Sequence, residues 1–134
     1  MKAVFADTFF FQATLNKADR CHEAAVLWSN QYHGSLVTTV WVVTEMADAL
    51  SRSRYRHAFA QFYDALKLDF RVTVIPCDQA LWERGLKLYL DRPDKEWSLT
   101  DCISFVVMRD QKITDALTAD RHFQQAGFVT LFAS

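Results

Sequence analysis

The segment Ser98-Leu-Thr-Asp-Cys-Ile-Ser-Phe-Val-Val-Met-Arg-Asp110 decides the fold, because it predicts a helix that is apolar on most of its faces. We expect this helix to lie deep in the core, given its apolar residues Leu99, Cys102, Ile103, Phe105, Val106 and Val107. Ser98 is a candidate N-cap, and Asp101 lies three residues later, where a capping box usually has Glu or Gln. Asp101 therefore either only stabilises the start of the helix, where the helix dipole favours an anion, or also has a chemical role.

The rest of the chain alternates short apolar segments, which predict strands, with longer segments of helical periodicity. Predicted strands occupy residues 2–7, 35–38, 71–76, 113–118 and 128–132. Predicted helices occupy residues 18–32, 39–52, 55–68, 79–90 and 98–110, a short one begins at 120, and residues 8–16 are compatible with another. This alternation is typical of a parallel sheet with helices on both faces, so we predict a three-layer α/β/α fold with a short central parallel sheet. The residues expected to face inward from the helices at 18–32 and 79–90 are Ala24, Ala25, Leu27, Trp28, Leu81, Trp82, Leu86 and Tyr89.

Length and composition indicate one domain, residues 1–134, with enough apolar side chains to fill a core, because 51% of the residues are hydrophobic. The formal net charge of −1 gives no general attraction to nucleic acid. Any such binding would depend on a local basic patch, for which the run Arg52, Arg54 and Arg56 is the candidate. A solvated helix surface explains that run equally well.

Cysteine usage and hydropathy predict a cytoplasmic protein without membrane segments. Cys21, Cys77 and Cys102 are odd in number, lie in apolar-looking segments and lack zinc-site spacing, so we interpret them as reduced core residues. No run approaches the roughly 18 apolar residues that a membrane span needs. The apolar run after Lys2 ends at Asp7, which is too short for a signal peptide.

Four acids lie at the edges of apolar segments and are the candidate functional residues: Asp7, Glu45, Asp101 and Asp120. Sites in open parallel sheets form at the carboxyl ends of strands, near the point where strand order reverses. Asp7 ends the first strand, Asp120 follows the fourth, and Asp101 begins the helix before the fourth. If the first strand lies in the middle of the sheet, all four acids meet at one edge.

Four carboxylates that meet repel one another strongly, and a divalent cation removes that penalty. Oxygen ligands without a nearby Cys or His suit Mg²⁺ or Mn²⁺ rather than zinc, and one or two such ions support phosphodiester hydrolysis. Other chemistries lack their motifs, since the chain has no GxxxxGK[ST], GxGxxG, GxSxG or HExxH. We therefore expect a metal-dependent nuclease in which the four acids are both the metal ligands and the catalytic residues.

Four motifs give the chain a resemblance to PIN domains, in particular to the short stand-alone toxins of the VapC type. They follow one another in the expected order over nearly the whole chain: Val4-Phe-Ala-Asp-Thr8, Thr44-Glu-Met-Ala47, Ser98-Leu-Thr-Asp-Cys102 and Leu117-Thr-Ala-Asp-Arg-His-Phe123, with Gly127 behind the last. Asp19 with His22, ahead of Ala24 and Ala25, also fits the family pattern. Phe9 departs from it, because a small residue is expected after Asp-Thr, and this large side chain would narrow access to the metal.

The resemblance implies a ribonuclease whose acidic quartet binds Mg²⁺ or Mn²⁺. Asp7 and Asp101 would be the principal ligands, and Glu45 and Asp120 would complete the metal shell or orient water. The resemblance further implies a homodimer and a cognate antitoxin protein, encoded beside the toxin, whose peptide blocks the site. These expectations make the chain the toxin of a type II toxin–antitoxin pair that acts on RNA.

Two other functions stay open at the level of sequence. One is a non-catalytic PIN-like module that binds RNA or protein, and the other is a metal-dependent enzyme acting on single-stranded DNA. Structural interpretations also exist for individual residues. Asp7 and Asp120 are plausible caps, a distant arginine is a possible partner for Glu45, and His22 and His122 are interpreted as structural hydrogen-bonding residues. Thr8, Ser98 and Thr118 are more plausibly caps than holders of water.

Overall fold

Five short strands and seven helices make up the chain in the computed structural model, which describes residues 2–132. The strands are β1 (Val4–Ala6), β2 (Leu36–Thr39), β3 (Val72–Ile75), β4 (Asp115–Leu117) and β5 (Val129–Thr130). The helices are α1 (Thr8–Leu15), α2 (His22–Gln31), α3 (Val40–Ala49), α4 (Ser53–Leu68), α5 (Gln79–Asp91), α6 (Leu99–Asp110) and α7 (Arg121–Gln125). All five predicted strands are present, although β4 and β5 are shorter than the apolar segments that predicted them.

The sheet is entirely parallel, with strand order β3-β2-β1-β4-β5, and the predicted three-layer α/β/α fold is confirmed. β1 lies in the middle, where Val4 pairs with Leu36 of β2 on one side and Phe5 pairs with Ala116 of β4 on the other. Strand order reverses at β1, so a crevice opens beyond its carboxyl end. This is the arrangement that the sequence required if its acids were to meet.

Helix α6 lies in the core as its sequence predicts, since every residue from 102 to 108 is buried. It packs closely against α5, where Gly85 faces Ile103. A Cβ atom on Gly85 would lie 3.2 Å from the Ile103 Cα and would overlap the side chain of that residue. Glycine therefore allows the two helices to approach, and the approach fixes α6 against the rest of the core.

The segment with three consecutive phenylalanines, which the sequence left ambiguous, forms α1. Phe10 and Phe11 are buried, and each contacts an aromatic ring on another helix. The Phe10 ring lies 5.7 Å from that of Trp28, and the Phe11 ring lies 5.2 Å from that of Phe62, both edge-to-face. These aromatic pairs stabilise the helix that directly follows β1.

Several predicted inward-facing residues are exposed instead. Ala24 and Leu27 lie on the solvent side of α2, because its inward face runs through Ala25 and Trp28. The helix begins at His22 rather than at residue 18, while the Asp19 side chain accepts a hydrogen bond from the Cys21 N–H. The helix is thus displaced along the chain from its predicted start, and its apolar face is narrower.

Two further expectations about core residues are wrong. Tyr89 of α5 is 46% exposed, although it was expected to face inward. Among the cysteines, Cys102 is buried and Cys21 is partly buried against the core, but Cys77 is exposed in the connection after β3.

Within residues 2–132, no helix is both long and apolar enough to cross a membrane.

Candidate metal centre

The four candidate acids line a single cavity of about 820 Å³ at the carboxyl ends of β1 and β4. Asp48 and Glu96 also line it, so six carboxylates face this space. Among residues 2–132, no lysine or arginine lines the cavity or forms an ion pair with any of the quartet. The structure thus brings the predicted residues together at one edge of the sheet, without the cationic side chains that would neutralise them.

Asp7 follows β1 directly and occupies the N-cap position of α1, yet its side chain makes no capping hydrogen bond. Only 6% of the residue is exposed, and its Oδ2 accepts a hydrogen bond of 3.1 Å from the Thr118 hydroxyl. Thr118 directly follows β4, the strand next to β1. The geometry therefore gives no support to the interpretation of Asp7 as only a cap.

Burial raises the pKa of the Asp7 carboxyl from 3.8 to about 7. Hydrogen bonds from the Thr8 backbone and the Thr118 hydroxyl oppose the increase, whereas the charges of Asp101 and Glu45 add to it. Near pH 7 and without a cation, this carboxyl group is consequently about half protonated. A bound cation would favour the ionised form, and so would compete with the proton.

Glu45 lies in α3, half-buried, with its Oε1 accepting a short hydrogen bond of 2.6 Å from the Thr8 hydroxyl. Burial raises the pKa of its carboxyl, the hydrogen bond from Thr8 opposes this, and the charges of Asp101 and Asp48 raise it further. The alternative in which a distant arginine pairs with Glu45 is not observed among residues 2–132. The fold holds this carboxylate by a hydroxyl group alone.

Asp101 and Asp120 both cap helices, as the structural interpretation of each residue expects. The Ser98 side chain accepts from the Asp101 N–H, while Asp101 Oδ2 accepts from the Ser98 N–H at 3.2 Å, which completes a capping box on α6. Asp120 Oδ1 accepts from the His122 N–H at 2.9 Å and caps α7. Each cap uses one carboxylate oxygen and leaves the other oxygen for a different role.

In all four acids, one carboxylate oxygen accepts a hydrogen bond that fixes the side chain, and within the described part of the chain the other oxygen has no side-chain donor. Thr118 holds Asp7 and Thr8 holds Glu45, each through one oxygen, and the caps hold the other two acids in the same way. The remaining oxygens have no side-chain hydrogen-bond donor among residues 2–132: Asp7 Oδ1, Glu45 Oε2, Asp101 Oδ1 and Asp120 Oδ2. A fixed carboxylate with one oxygen that has no side-chain donor suits a hard divalent cation, so this donor set fits Mg²⁺ or Mn²⁺.

His122 lies among the acids. The sequence interpretation expected a structural hydrogen-bonding residue here, but it did not expect two of the four acids as the neighbours of the ring. Its Nδ1 atom lies 3.3 Å from Asp101 Oδ2 and 3.4 Å from Asp120 Oδ1. These three residues offer ligand atoms that all lie within 4.8 Å of one another, whereas Asp7 and Glu45 line the cavity outside that group. The expectation that no histidine lies near the acids is therefore wrong. The available signal was its position, two residues after the Asp120 cap.

The structure also shows where the other side chains named in the sequence analysis lie relative to the cavity. Nδ1 of His22 contacts the Ala13 carbonyl oxygen at 2.8 Å, which is the structural role expected of it. The large side chain of Phe9 lines the cavity. Arg56 lines a neighbouring cavity of about 320 Å³ that shares Asp48 with the acidic one. Arg56, one residue of the basic run at the start of α4, therefore lies close to the site.

This fold, with acids gathered beyond the central strand, defines a class of protein. The chain belongs to the PIN domain family, and the family model matches residues 4–129. Among its relatives is the 23S rRNA-specific endonuclease VapC20 of Mycobacterium tuberculosis, represented in strains CDC 1551 / Oshkosh and ATCC 25618 / H37Rv. The chain is 32% identical to VapC20 over 127 residues, which cover 94% of this chain and 95% of the relative. The resemblance found in the sequence motifs is confirmed.

Solved structures agree with this assignment. The crystal structure of Mycobacterium tuberculosis VapC20, a Sarcin-Ricin loop cleaving toxin, matches with a TM-score of 0.84 and 30% identity, covering 96% of this chain and 98% of that one. FitAcB from Neisseria gonorrhoeae matches with a TM-score of 0.66 and 15% identity over 95% of both chains. VapBC2 from Rickettsia felis, bound to a DNA fragment from their promoter, has a TM-score of 0.66 and 12% identity over 96% of both chains. The last two show likeness of fold alone.

Proposed function

We propose that this protein is a divalent-metal-dependent endoribonuclease, formed by a single PIN domain, and the toxin of a toxin–antitoxin pair. Asp7, Glu45, Asp101 and Asp120 are its proposed metal-binding and catalytic residues. The observation that carries the proposal is the cavity in which each of these acids is held by one oxygen and keeps the other without a side-chain donor. The likeness to VapC20 over 95% of its length supports the ribonuclease activity.

In this proposal the chain's own residues prepare a charged, preorganised site. The Thr118 and Thr8 hydroxyls fix Asp7 and Glu45, so these side chains need little rearrangement when an ion binds. Asp7 and Asp101 would hold the ion, and Glu45 and Asp120 would complete its shell or orient water. A bound Mg²⁺ or Mn²⁺ would supply Lewis acidity, which activates water and stabilises the charge that develops on the phosphoryl group.

The substrate we propose is RNA, and ribosomal RNA is the first substrate to test because VapC20 is a 23S rRNA-specific endonuclease. An acidic cavity repels phosphate unless cations are bound, so RNA binding at this site would depend on the metal. Arg56, whose cavity adjoins the acidic one, supplies positive charge for a contact to the RNA backbone, and Arg52 and Arg54 belong to the same basic run. A ribosomal target also agrees with the cytoplasmic location expected from the sequence.

A protein partner and a second copy of the chain complete the proposal. The similar structures include a VapBC2 complex bound to promoter DNA, and we infer a cognate antitoxin for this chain as well. Its binding would cover the acidic cavity and stop cleavage. We also propose a homodimer, which sedimentation of the purified protein at several concentrations would test.

The decisive experiment incubates the purified protein and structured RNA with Mn²⁺. We expect the parent to cleave the RNA. EDTA should abolish this cleavage, and so should the substitutions Asp7→Asn and Asp101→Asn. Asp110→Asn is the matched control, because Asp110 lies at the other end of α6 and pairs with Arg84 on the surface. If both cavity variants cut RNA as fast as the parent, the assignment of the site is wrong.

The same preparation separates the alternative functions. Calorimetry that finds no Mn²⁺ uptake at millimolar ion would favour a non-catalytic binding module. Competition between RNA and DNA oligonucleotides of the same sequence would identify a deoxyribonuclease, because proteins distinguish the two polymers at the 2′-hydroxyl group. Cleavage of RNA alone supports the proposal.

A further inference from the structure

His122 is the second residue of the five-residue helix α7, and its imidazole lies between two acids of the quartet. Its side chain is 21% exposed, and its Nδ1 approaches Asp101 Oδ2 and Asp120 Oδ1 at nearly equal distances of 3.3 and 3.4 Å. Asp101 lies in the first turn of α6 and Asp120 is the N-cap of α7, so one ring lies between residues from two separate helix starts. This position between two acids suggests that His122 contributes to the site and not only to packing.

The chemistry of the partners decides which atom carries the proton. Asp101 Oδ2 already accepts the Ser98 N–H, and Asp120 Oδ1 already accepts the backbone N–H of His122. Because a carboxylate oxygen only accepts, the hydrogen bond between Nδ1 and Asp101 Oδ2 forms when the ring carries a proton on Nδ1. In that state the Nδ1 atom is the donor. It donates to Asp101 and also contacts Asp120, with the same oxygen of each acid that caps the helix.

Two like charges held beside each other by helix caps repel, and something must keep them in place. Among residues 2–132, the imidazole of His122 is the only basic side chain within ion-pairing distance of any acid of the quartet. Its Nδ1 atom forms a hydrogen bond with Asp101 Oδ2 and approaches Asp120 Oδ1, so among residues 2–132 Asp101 Oδ1 and Asp120 Oδ2 keep no side-chain donor. The ring thus contacts each carboxylate at the oxygen that also caps a helix, and leaves the other oxygen available for a cation.

We propose that His122 is a positioning residue of the metal centre, whose Nδ1–H holds Asp101 and Asp120 side by side so that their free oxygens bind one divalent cation together. The inference rests on the proposed function, since it needs a metal at this cavity. In this proposal His122 does not bind the ion itself and acts only through the two carboxylates. Residues that orient metal ligands in this way commonly have a large effect on the affinity for the metal.

Mn²⁺ binding to the full chain, measured by electron paramagnetic resonance titration without RNA, tests the proposal. His122→Ala should weaken Mn²⁺ binding roughly 10- to 100-fold, the usual loss when a group that orients metal ligands is removed. His122→Asn should recover most of the parent's affinity, because the asparagine amide N–H can occupy the place of Nδ1–H. His33→Ala is the matched control, an exposed histidine that does not line the cavity, and should bind Mn²⁺ like the parent.

A spectroscopic measurement distinguishes a positioning role from direct ligation. Electron spin echo modulation of the Mn²⁺-loaded parent should show no coupling to a directly bound imidazole nitrogen. A strong nitrogen coupling that disappears in His122→Asn would overturn the proposal and make His122 a ligand. Circular dichroism and a urea midpoint close to those of the parent would show that His122→Ala is folded, and the rescue by asparagine gives a second, independent check.

The outcomes also separate this inference from the proposed function. If the parent binds Mn²⁺ and His122→Ala binds it equally well, the positioning role is wrong while the metal centre stands. If asparagine rescues no better than alanine, the donated hydrogen bond is not what matters, and the inference is wrong. If the parent itself takes up no Mn²⁺, the proposed metal-dependent function fails, and this inference fails with it.

Discussion

Replacing Asp7 with asparagine should stabilise the metal-free protein above neutral pH, although it should abolish activity. Asp7 is 6% exposed and its pKa is raised by burial from 3.8 to about 7, so folding makes this carboxyl harder to ionise. Below pH 3.8 the group is protonated in both folded and unfolded chains and has no linked cost. Between pH 3.8 and 7 the unfolded chain ionises first, so stability falls as the pH rises, and the full cost is present above pH 7.

The size of this cost follows from the pKa difference. About three pKa units at 1.36 kcal/mol each give roughly 4 kcal/mol of lost stability well above pH 7. About 2–3 kcal/mol of that loss should develop between pH 5 and pH 8. Asparagine keeps an oxygen that can accept from the Thr118 hydroxyl but carries no charge, so the variant escapes this pH-dependent loss.

Urea unfolding in EDTA at pH 5 and pH 8, followed by tryptophan fluorescence at fixed protein concentration, measures the difference between parent and Asp7→Asn. In the Asp110→Asn control, the change in unfolding free energy relative to the parent should be small and of the opposite sign. The reason is that a hydrogen bond from Arg84 lowers the pKa of the exposed Asp110 carboxyl. A difference between parent and Asp7→Asn that is the same at both pH values would refute the reasoning. Added Mn²⁺ at pH 8 should stabilise the parent and leave the variant unchanged.

Three further predictions concern the core, the cavity and the RNA. Gly85→Ala should destabilise the protein by about 1–3 kcal/mol through overpacking against Ile103, and an unchanged urea midpoint would contradict this. Thr118→Val should weaken Mn²⁺ binding roughly 10- to 100-fold in calorimetry, because it removes the hydroxyl that holds Asp7; equal affinity would show that this hydrogen bond is dispensable. Arg56→Ala should weaken RNA binding and reduce the slope of log affinity against log salt by about 1, whereas an unaltered slope would exclude a phosphate contact.

The sequence predicted the strands and the position of the acids because both depend on local pattern. Short apolar segments ended by a polar residue identify strands such as β1, and parallel pairing then fixes the edge on which Asp7 lies. The Ser98–Asp101 capping box depends on residues three apart, so it too was visible. Features that follow from neighbours in the chain were within reach of sequence reasoning.

Contacts between distant segments were not visible in the same way. Thr118 donates to Asp7 across 111 residues and Thr8 donates to Glu45 across 37, and no local pattern distinguishes these threonines from ordinary caps. The solvent exposure of Leu27 depends on how narrow the inward face of α2 is, which the packing of its neighbours decides. The contact between His122 and Asp101 was not predicted, because Asp101 lies 21 residues away, at the start of another helix.

The structural and functional interpretations of Asp101 turn out to be compatible, because a carboxylate has two oxygens. Oδ2 completes the capping box and accepts from His122, which fixes the side chain and leaves Oδ1 free. Asparagine at this position retains an oxygen that can accept from the Ser98 N–H, whereas alanine loses both cap and charge. A chain with Asp101→Asn therefore keeps the cap on α6 and gives up only the carboxylate charge. Loss of metal binding in that variant, with the fold intact, would come from the electrostatics of the cavity rather than from a damaged helix.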